Sequence, residues 1–184
     1  MIIKNKIESY EKIVELGLNR FPEKIFTNDK IDEIKIFLEK FPAEYYAIRD
    51  KSRSSGVFKL KVKYEDVLTE IGGYDKFSIN VSSYNYVENQ LLVGEIIITD
   101  VSVGAILSTN NEYSVRDAIR NPDFNINTSL FDNETLNKIP YFDSVYKYIV
   151  TNKLKNVIVE FAYFDKPVGI NKENIIIYEL RTEY

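Results

Sequence analysis

In this chain of 184 residues the spacing of apolar residues changes near residue 42 from helical to mainly strand-like, and that change limits the folds that the chain can adopt. Up to residue 41 the apolar positions recur at helical intervals, which predicts helices over residues 4–19 and 31–41. From Tyr45 onward most segments have the apolar spacing of strands, with a few helical stretches among them. Because strands and helices are mixed without strict alternation, the pattern favours an α+β fold with antiparallel sheets.

The boundaries of the predicted elements follow from where each spacing starts and stops. Strands are predicted over residues 45–49, 57–63, 77–81, 91–99, 103–108, 157–164 and 174–182. Further helices are predicted over residues 64–71, 112–120 and 141–154, with an irregular stretch at 123–138. A turn through Asp165, Lys166, Pro167 and Gly169 is expected to join the last two strands.

These elements predict a domain organisation as well as a fold class. An N-terminal helical segment, residues 1–42, precedes an α+β domain that covers residues 43–184. Within that domain we expect two antiparallel-sheet lobes with flanking helices, at about residues 43–86 and 87–184. The length of the chain suits such a pair of small lobes that share a core.

Histidine and cysteine are missing from the chain, and their absence excludes several kinds of active site. Without an imidazole neither a Ser-His-Asp nor a Cys-His nucleophile can be built, and zinc sites of the Cys or His kind and disulfides are excluded too. The remaining donors are oxygen atoms and fixed positive charges, which suit hard cations such as Mg²⁺ and phosphate groups.

Charge and hydropathy limit the partners that are expected. The net charge is −4 and the isoelectric point is about 5.1, a balance that disfavours nucleic-acid binding. No apolar run approaches the roughly 18 residues that span a bilayer. The first residues become charged at once, so no signal peptide is expected. The sequence therefore predicts a cytoplasmic protein that binds neither nucleic acid nor membrane, and it indicates no oligomeric state.

The loop between the first two predicted strands is rich in serine and carries basic residues. Residues 50–56 read Asp-Lys-Ser-Arg-Ser-Ser-Gly, so backbone N–H groups can approach an anion without obstruction by large side chains. A guanidinium in or beside this loop can bind two phosphate oxygens at once. Two interpretations stay open, a phosphate-binding loop and a solvated turn, since turns use the same small residues. The candidate phosphate ligands are Arg49, Lys51, Ser52, Ser54, Ser55 and Gly56.

The last two predicted strands carry acidic residues in apolar surroundings. Glu160 lies in Val-Ile-Val-Glu-Phe, and Glu179 and Arg181 lie two residues apart in the final strand, on one face of it. A carboxylate in a strand of this kind is costly to bury unless it is paired or binds a metal. Two interpretations are equally supported here. Glu160 and Glu179 could form a Mg²⁺ site, or there is a structural ion pair, of Glu179 with Arg181 or of Glu160 with a nearby lysine.

Two weaker groups of charged residues complete the candidates. Glu88 and Glu95 flank the start of a long predicted strand, where their carboxylates could accept hydrogen bonds from a ribose or an adenine amine. An ordinary loop and an edge-strand charge explain them equally well. Arg116 and Arg120 lie one turn apart on a short predicted helix and could hold an anionic substrate, although a solvated helix face explains them more simply.

In chain order these segments resemble the nucleotide-binding part of the ATP-grasp fold. The strand ending in Ile48-Arg49-Asp50, the serine-rich loop, the next strand and the helix at 64–71 are similar to that family's phosphate-binding lobe. The segment 88–95 resembles its linker, and Val159-Glu160-Phe161 and Glu179-Leu180-Arg181 resemble its metal-binding strands. The resemblance covers roughly residues 43–182.

The resemblance implies ATP and Mg²⁺ as cofactors and an α+β fold in which the nucleotide lies between two antiparallel sheets. Arg49, Lys51 and the loop would hold the phosphates, Glu88 and Glu95 the adenosine, and two late glutamates, Glu160 and Glu179, the metal. Arg49 and Arg181 are the candidate catalytic residues, as cations that stabilise charge on the transferred phosphoryl group.

The implied activity is that of a ligase- or kinase-like enzyme in which a substrate carboxylate attacks the γ-phosphate and forms an acylphosphate. Its second partner would be an unidentified small molecule or protein. The chain differs from the family at two positions, because Arg49 stands where lysine is usual and Arg181 replaces the closing asparagine of the metal site. These differences keep a second hypothesis open, a non-catalytic nucleotide-binding or protein-interaction module.

Overall fold

A computed structural model describes residues 2–3, 5–51, 58–98, 103–109 and 141–182, and for 103–109 it describes the backbone alone. The chain divides into two compact units, one formed by residues 1–20 and 89–184 and the other by residues 21–88. Each unit has its own four-stranded antiparallel sheet. The predicted α+β class with two antiparallel sheets and flanking helices is therefore confirmed. None of the described helices is long and apolar enough to cross a membrane.

The unit of residues 21–88 is built on a sheet with the strand order β1-β4-β2-β3. The hairpin predicted around the serine-rich loop is confirmed, because β2 and β3 pair antiparallel. β1 pairs with β4, which also pairs with β2. The elements are β1 (Glu23–Thr27), α2 (Ile31–Lys40), β2 (Tyr45–Asp50), β3 (Phe58–Lys63), a 3-10 turn (Tyr64–Asp66), α3 (Val67–Glu70), β4 (Lys76–Val81) and a 3-10 helix (Ser83–Asn89).

Helix α2 covers one face of this sheet. Phe26 of β1 packs edge-on against Phe37 of α2, with ring centroids 5.7 Å apart, and lies beside Phe77 of β4. The Tyr46 hydroxyl reaches from β2 to the carbonyl oxygens at the end of α2. Because side chains alternate between the faces of a strand, the neighbours of these residues point to the opposite face, which α2 does not cover.

The strand β1 was not predicted, and its inclusion changes the predicted organisation. Only five residues long, it has two adjacent apolar residues, Ile25 and Phe26, and no clear alternation. It nevertheless lies at the edge of the sheet, paired with a strand about 50 residues later in the chain. The division of the chain therefore differs from the predicted helical segment 1–42, because residues 21–42 belong to one unit and residues 1–20 to the other.

The unit of residues 1–20 and 89–184 has the strand order β6-β5-β7-β8. Helices α1 and α4 cover one face of this sheet, and their apolar residues form a common core with alternate residues of β5, β7 and β8, such as Ile96, Val159 and Leu180. The elements are α1 (Lys6–Glu15), β5 (Gln90–Ile98), β6 (Val103–Thr109), α4 (Phe142–Thr151), β7 (Val157–Val168) and β8 (Glu173–Arg181).

The first 20 residues hold the outer edge of β8. Leu180 donates its backbone N–H to the Ser9 hydroxyl at 2.8 Å, and Ile177 donates to the Asn19 carbonyl at 2.9 Å. The Asn19 side chain is completely buried and binds the backbone of the β7–β8 connection. An edge strand with open hydrogen-bonding groups is prone to pair with other chains, and this segment satisfies two of those groups.

Two boundaries differ from the prediction for visible reasons. Helix α1 ends at Glu15 rather than at residue 19, because Gly17 adopts a left-handed conformation with φ of 64° and closes the helix. Strand β7 continues to Val168, so Asp165, Lys166 and Pro167 lie in the strand and the turn begins at Gly169. The predicted helix 112–120 and the irregular stretch 123–138 lie outside the described residues.

Candidate functional site

Three glutamates form a row across the second sheet. Glu95 of β5 lies directly opposite Glu160 of β7, which lies directly opposite Glu179 of β8. Directly paired residues in an antiparallel sheet point to the same face, so all three carboxylates share one face. Ile96, Val159 and Leu180, each next to one of these glutamates, belong to the core that the helices cover. The acidic row is therefore on the face that α1 and α4 do not cover.

The outer two members of this acidic row are paired with cations. Lys6, the first residue of α1, places its ammonium 2.6 Å from a Glu179 oxygen. Arg181 forms an ion pair with Glu95, although β7 lies between their strands. No described cation forms an ion pair with Glu160, the central member. The sequence left open an ion pair between Glu179 and Arg181, and the structure has different partners for both residues.

The pKa of Glu160 is raised above the ordinary value of a glutamate. Burial is the main cause, since it penalises the charged form, and the neighbouring carboxylates of Glu179 and Glu95 act in the same direction. Lys6 and Arg181 oppose the shift without cancelling it. The centre of the acidic row is thus a site where an added positive charge would be favourable.

The chemistry of the acidic row fits a magnesium ion. Mg²⁺ is commonly held by one or two carboxylates together with water and phosphate oxygens. Glu160 and Glu179 supply two carboxylates from directly opposed positions. Within the described ranges, no group of three or more acidic side chains is arranged so that it could hold a metal ion by itself. A cation at Glu160 would also offset the repulsion that raises the pKa of this residue.

The first sheet carries two of the predicted phosphate ligands on the face opposite α2. Arg49 of β2 is paired with Ser78 of β4 and with Phe58 of β3, and its guanidinium lies 4.6 Å from the centre of the Phe58 ring. Lys51 follows the strand by one residue, and its side chain is only 5% exposed. Glu23 of β1 places a carboxylate oxygen 3.6 Å from the Lys51 ammonium.

The Ser78 hydroxyl is a further polar group on this face. It is buried and has no hydrogen-bond partner among the described residues. It lies in the same row of the sheet as Arg49. A buried hydroxyl without a partner costs free energy, so a bound polar group beside Arg49 would be stabilised by it.

The remaining predicted ligands divide into two groups. Glu88 lies in the 3-10 helix at the end of the first unit and is exposed. Glu95 lies in the acidic row of the other unit. The members of the serine-rich loop and of the short arginine helix lie outside the described residues: Ser52, Ser54, Ser55, Gly56, Arg116 and Arg120.

Sequence reasoning missed three residues of these two faces. Lys6 and Glu23 lie far along the chain from Glu179 and Lys51, and no local spacing links the members of either pair. Ser78 has no distinctive neighbours in the sequence. Only the pairing of β1 with β4 and the packing of α1 beside β8 bring these side chains to the predicted residues.

Comparison with solved structures shows that the fold is ATP-grasp-like. An N5-carboxyaminoimidazole synthase from Aspergillus clavatus, in complex with ADP and 5-aminoimidazole ribonucleotide, matches 98% of this chain with a TM-score of 0.53 and 13% identity. An ADP complex of N5-carboxyaminoimidazole ribonucleotide synthetase matches 98% with a TM-score of 0.52 and 11% identity. D-alanine–D-alanine ligase from Helicobacter pylori matches 97% with a TM-score of 0.50 and 10% identity.

The match covers 44%, 45% and 53% of those three proteins, so the chain spans about half of their length. No protein-family model matches the sequence, and none of the curated proteins matches it either. At such low identities the likeness establishes the fold, and the resemblance to the ATP-grasp fold stated from the sequence is confirmed to that extent.

Proposed function

We propose that this protein binds ATP with Mg²⁺ and activates a carboxylate, or a similar acceptor, by phosphoryl transfer. The observation that carries the proposal is the acidic row with Glu160 at its centre, a partly buried carboxylate with a raised pKa and no ion-pair partner among the described residues. Burying such a carboxylate costs free energy unless it is paired or binds a cation. Arg49, Glu160 and Glu179 also lie on the sheet faces that the described helices leave uncovered.

The phosphate contacts are proposed for residues of the first sheet and of the serine-rich loop. Arg49 and Lys51 carry fixed charges on one face of the sheet, and the Ser78 hydroxyl adds a neutral donor between neighbouring strands. The loop residues Ser52, Ser54, Ser55 and Gly56 are proposed to donate hydrogen bonds to the same phosphates, and Glu88 is proposed to accept from the adenosine. Arg49 stands at the position where the family usually has lysine, and its fork of donors can bind two phosphate oxygens at once.

The metal contacts are proposed for the acidic row. Glu160 and Glu179 would hold Mg²⁺, which when bound neutralises phosphate charge and orients the γ-phosphoryl group. Lys6 holds Glu179 in position until the metal competes for the carboxylate. Arg181, held by Glu95, would add a fixed positive charge where a phosphoryl group carries negative charge.

No step of the proposed reaction requires an imidazole. A carboxylate oxygen of the substrate forms a bond to the γ-phosphorus as the bond to the β-phosphate oxygen breaks, giving an acylphosphate and ADP. A nucleophile such as an amine then forms a bond to the acyl carbon, and inorganic phosphate leaves. The contribution of Arg49, Lys51 and Arg181 is placement and charge stabilisation, which matches the residue types that the chain offers.

A second candidate function is nucleotide binding without phosphoryl transfer. The ion pairs Lys6–Glu179 and Arg181–Glu95 favour it, because two of the three carboxylates in the acidic row already have a cation. In that case the protein would bind the nucleotide and respond weakly or not at all to Mg²⁺. The two candidates differ in one measurable property, the release of ADP.

Thermal unfolding with nucleotide tests the binding step. A ligand that binds only the folded protein raises the melting temperature, so millimolar ATP with Mg²⁺ is expected to raise it for the wild type. Glu160→Gln should remove the Mg²⁺-dependent part of that shift. Because neutralising Glu160 relieves its burial cost, the variant should melt about 2–4 °C higher than the wild type without ligand. The matched control is Glu11→Gln on the exposed side of α1, which should change neither value.

Turnover separates the enzyme from the binding module. Release of ADP is measured with Mg²⁺ and a pool of carboxylate and amine substrates, in the wild type and in Glu160→Gln. ADP release that depends on the pool and is lost in the variant supports the enzyme, whereas a thermal shift without turnover supports the module. If neither ATP nor ADP changes the melting temperature of the wild type, the proposed function is wrong.

A further inference from the structure

The Lys51–Glu23 ion pair lies on the face that the proposed nucleotide would use. The Lys51 backbone N–H donates to the carbonyl of Lys76 at one end of β4, at 2.8 Å, whereas Glu23 is paired with Asn80 near the other end of that strand. The two side chains therefore extend towards each other along the sheet. Phe26 of the same strand packs against α2. Because side chains alternate along a strand, Glu23 and Ile25 lie on the opposite face of the sheet.

The burial of the Lys51 side chain explains why a carboxylate is needed there. With only 5% of the side chain exposed, the ammonium has lost most of its hydration, and an isolated charge in that position would be strongly destabilising. Glu23, with 23% of its side chain exposed, supplies an opposite charge. The separation of 3.6 Å is longer than that of a well-formed charged hydrogen bond, so the pair is loose and its ammonium can be shared.

We propose that Glu23 is the resident counter-ion of Lys51, which neutralises the buried ammonium when no anion is bound and competes with a polyphosphate for it. This inference rests on the proposed function, since it identifies the phosphate chain of the nucleotide as the competing anion. A phosphate that accepts from Lys51 comes close to the Glu23 carboxylate, and like charges at that distance repel. Glu23 therefore stabilises the ligand-free protein and weakens polyphosphate binding.

The test compares ADP affinity and ligand-free stability in Glu23→Gln and the wild type. The counter-ion role predicts a lower melting temperature without ligand and an ADP dissociation constant at least about 4-fold smaller, which is the effect of removing one like charge some 5 Å away at the dielectric constant of water and which burial would increase. The matched control is Glu33→Gln. Glu33 lies on α2, on the other side of the sheet, and pairs with Lys24 at 3.0 Å.

A double variant shows whether the effect passes through Lys51. Lys51→Met should weaken ADP binding, and adding Glu23→Gln to it should produce a smaller gain in affinity than Glu23→Gln gives in the wild type, because the competition for the ammonium is gone and only the charge repulsion is relieved. The two opposite effects of Glu23→Gln distinguish the counter-ion from a merely structural residue, whose loss would lower stability and affinity together. If Glu23→Gln binds ADP no more tightly than the wild type or the Glu33→Gln control, the proposal is wrong.

Two further measurements keep the result decisive. If Glu23→Gln does not fold, Glu23→Asp replaces it; this variant withdraws the carboxylate from Lys51, so an unchanged or weaker ADP affinity overturns the proposal and a tighter one supports it. Inorganic tripolyphosphate serves as a second ligand. Tighter tripolyphosphate binding by the variant, when ADP binds neither protein, supports the counter-ion and refutes the nucleotide function. If tripolyphosphate also binds neither protein, the counter-ion proposal falls.

Discussion

Replacing Asn19 by alanine should destabilise the unit of residues 1–20 and 89–184 more than any surface change. This side chain is fully buried, and its amide nitrogen donates to the carbonyl oxygens of Val168 and Ile175 at 2.9 and 2.7 Å. Its amide oxygen accepts from the backbone N–H of Asn171 at 2.9 Å. One side chain thus satisfies three backbone groups at the connection between β7 and β8 through bonds of 2.9 Å or shorter, and its nitrogen also makes a longer contact of 3.3 Å with the Glu173 carbonyl.

The magnitude follows from the groups that would be left without a partner. A buried donor or acceptor without a hydrogen bond costs about 1–3 kcal/mol. Three such groups give about 3–6 kcal/mol once partial access of water is allowed for, against a total stability of about 5–15 kcal/mol for a typical protein. Asn19→Asp has nearly the same shape but places a carboxylate against the oxygens of Val168 and Ile175, so it should be about as damaging at neutral pH.

Urea unfolding followed by far-UV circular dichroism measures these losses. Asn171→Ala is the matched control, since its side chain makes one exposed hydrogen bond, to the carbonyl of Gly17 at 2.9 Å, and should cost less than about 1 kcal/mol. A loss below about 1 kcal/mol for Asn19→Ala, or one equal to that of the control, would refute the reasoning that the buried contacts of Asn19 hold the connection.

Four other changes test the same unit by urea unfolding. Gly169→Ala should cost more than about 2 kcal/mol, because φ is 77° and a new Cβ would lie 2.5 Å from the Asn19 amide oxygen, whereas Gly17→Ala, with φ of 64° and nothing within 4 Å, should cost about 1 kcal/mol. Ser9→Ala should cost about 1–2 kcal/mol, since a buried N–H of β8 loses its acceptor. Burial raises the pKa of Tyr148 from 10.0 to about 12, so its stabilising contribution is present below pH 10 and is lost as the pH rises towards 12. Tyr148→Phe removes the hydroxyl that accepts from the Asn19 backbone N–H at 2.9 Å, so the variant should be less stable than the wild type at neutral pH, and this difference should shrink above pH 10; a constant difference would contradict the pKa assignment.

Local patterns were sufficient where the partners are close in sequence. The hairpin of β2 and β3 was predictable because a polar loop of small residues separates two segments of strand spacing, and the structure confirms the pairing. Glu160 and Glu179 were predictable as neighbours for a similar reason, since a single turn joins their strands. Side-chain alternation then determines that both carboxylates share a face.

Long-range contacts were not accessible from such patterns. β1 carries too few alternating residues to be recognised, and its place at the sheet edge depends on β4, which lies about 50 residues away. The division of the chain depends on the same contacts, because α1 packs beside β8 while β1 joins the first sheet. Residues 1–42 are contiguous in sequence, but their two halves find their apolar partners in different units.

The charges on the acidic row show why the two interpretations of the late glutamates could not be separated from the sequence. The ion-pair interpretation holds for Glu179, with Lys6 rather than with the arginine two residues later, and Glu160 has no such partner among the described residues. With Lys6 and Arg181 beside it, the described row has a net charge near −1 instead of −3. A row of that charge attracts a divalent cation weakly by itself and more strongly when phosphate oxygens bring further negative charge. Binding of metal and nucleotide would then depend on each other, and the cations Lys6 and Arg181 would set that dependence.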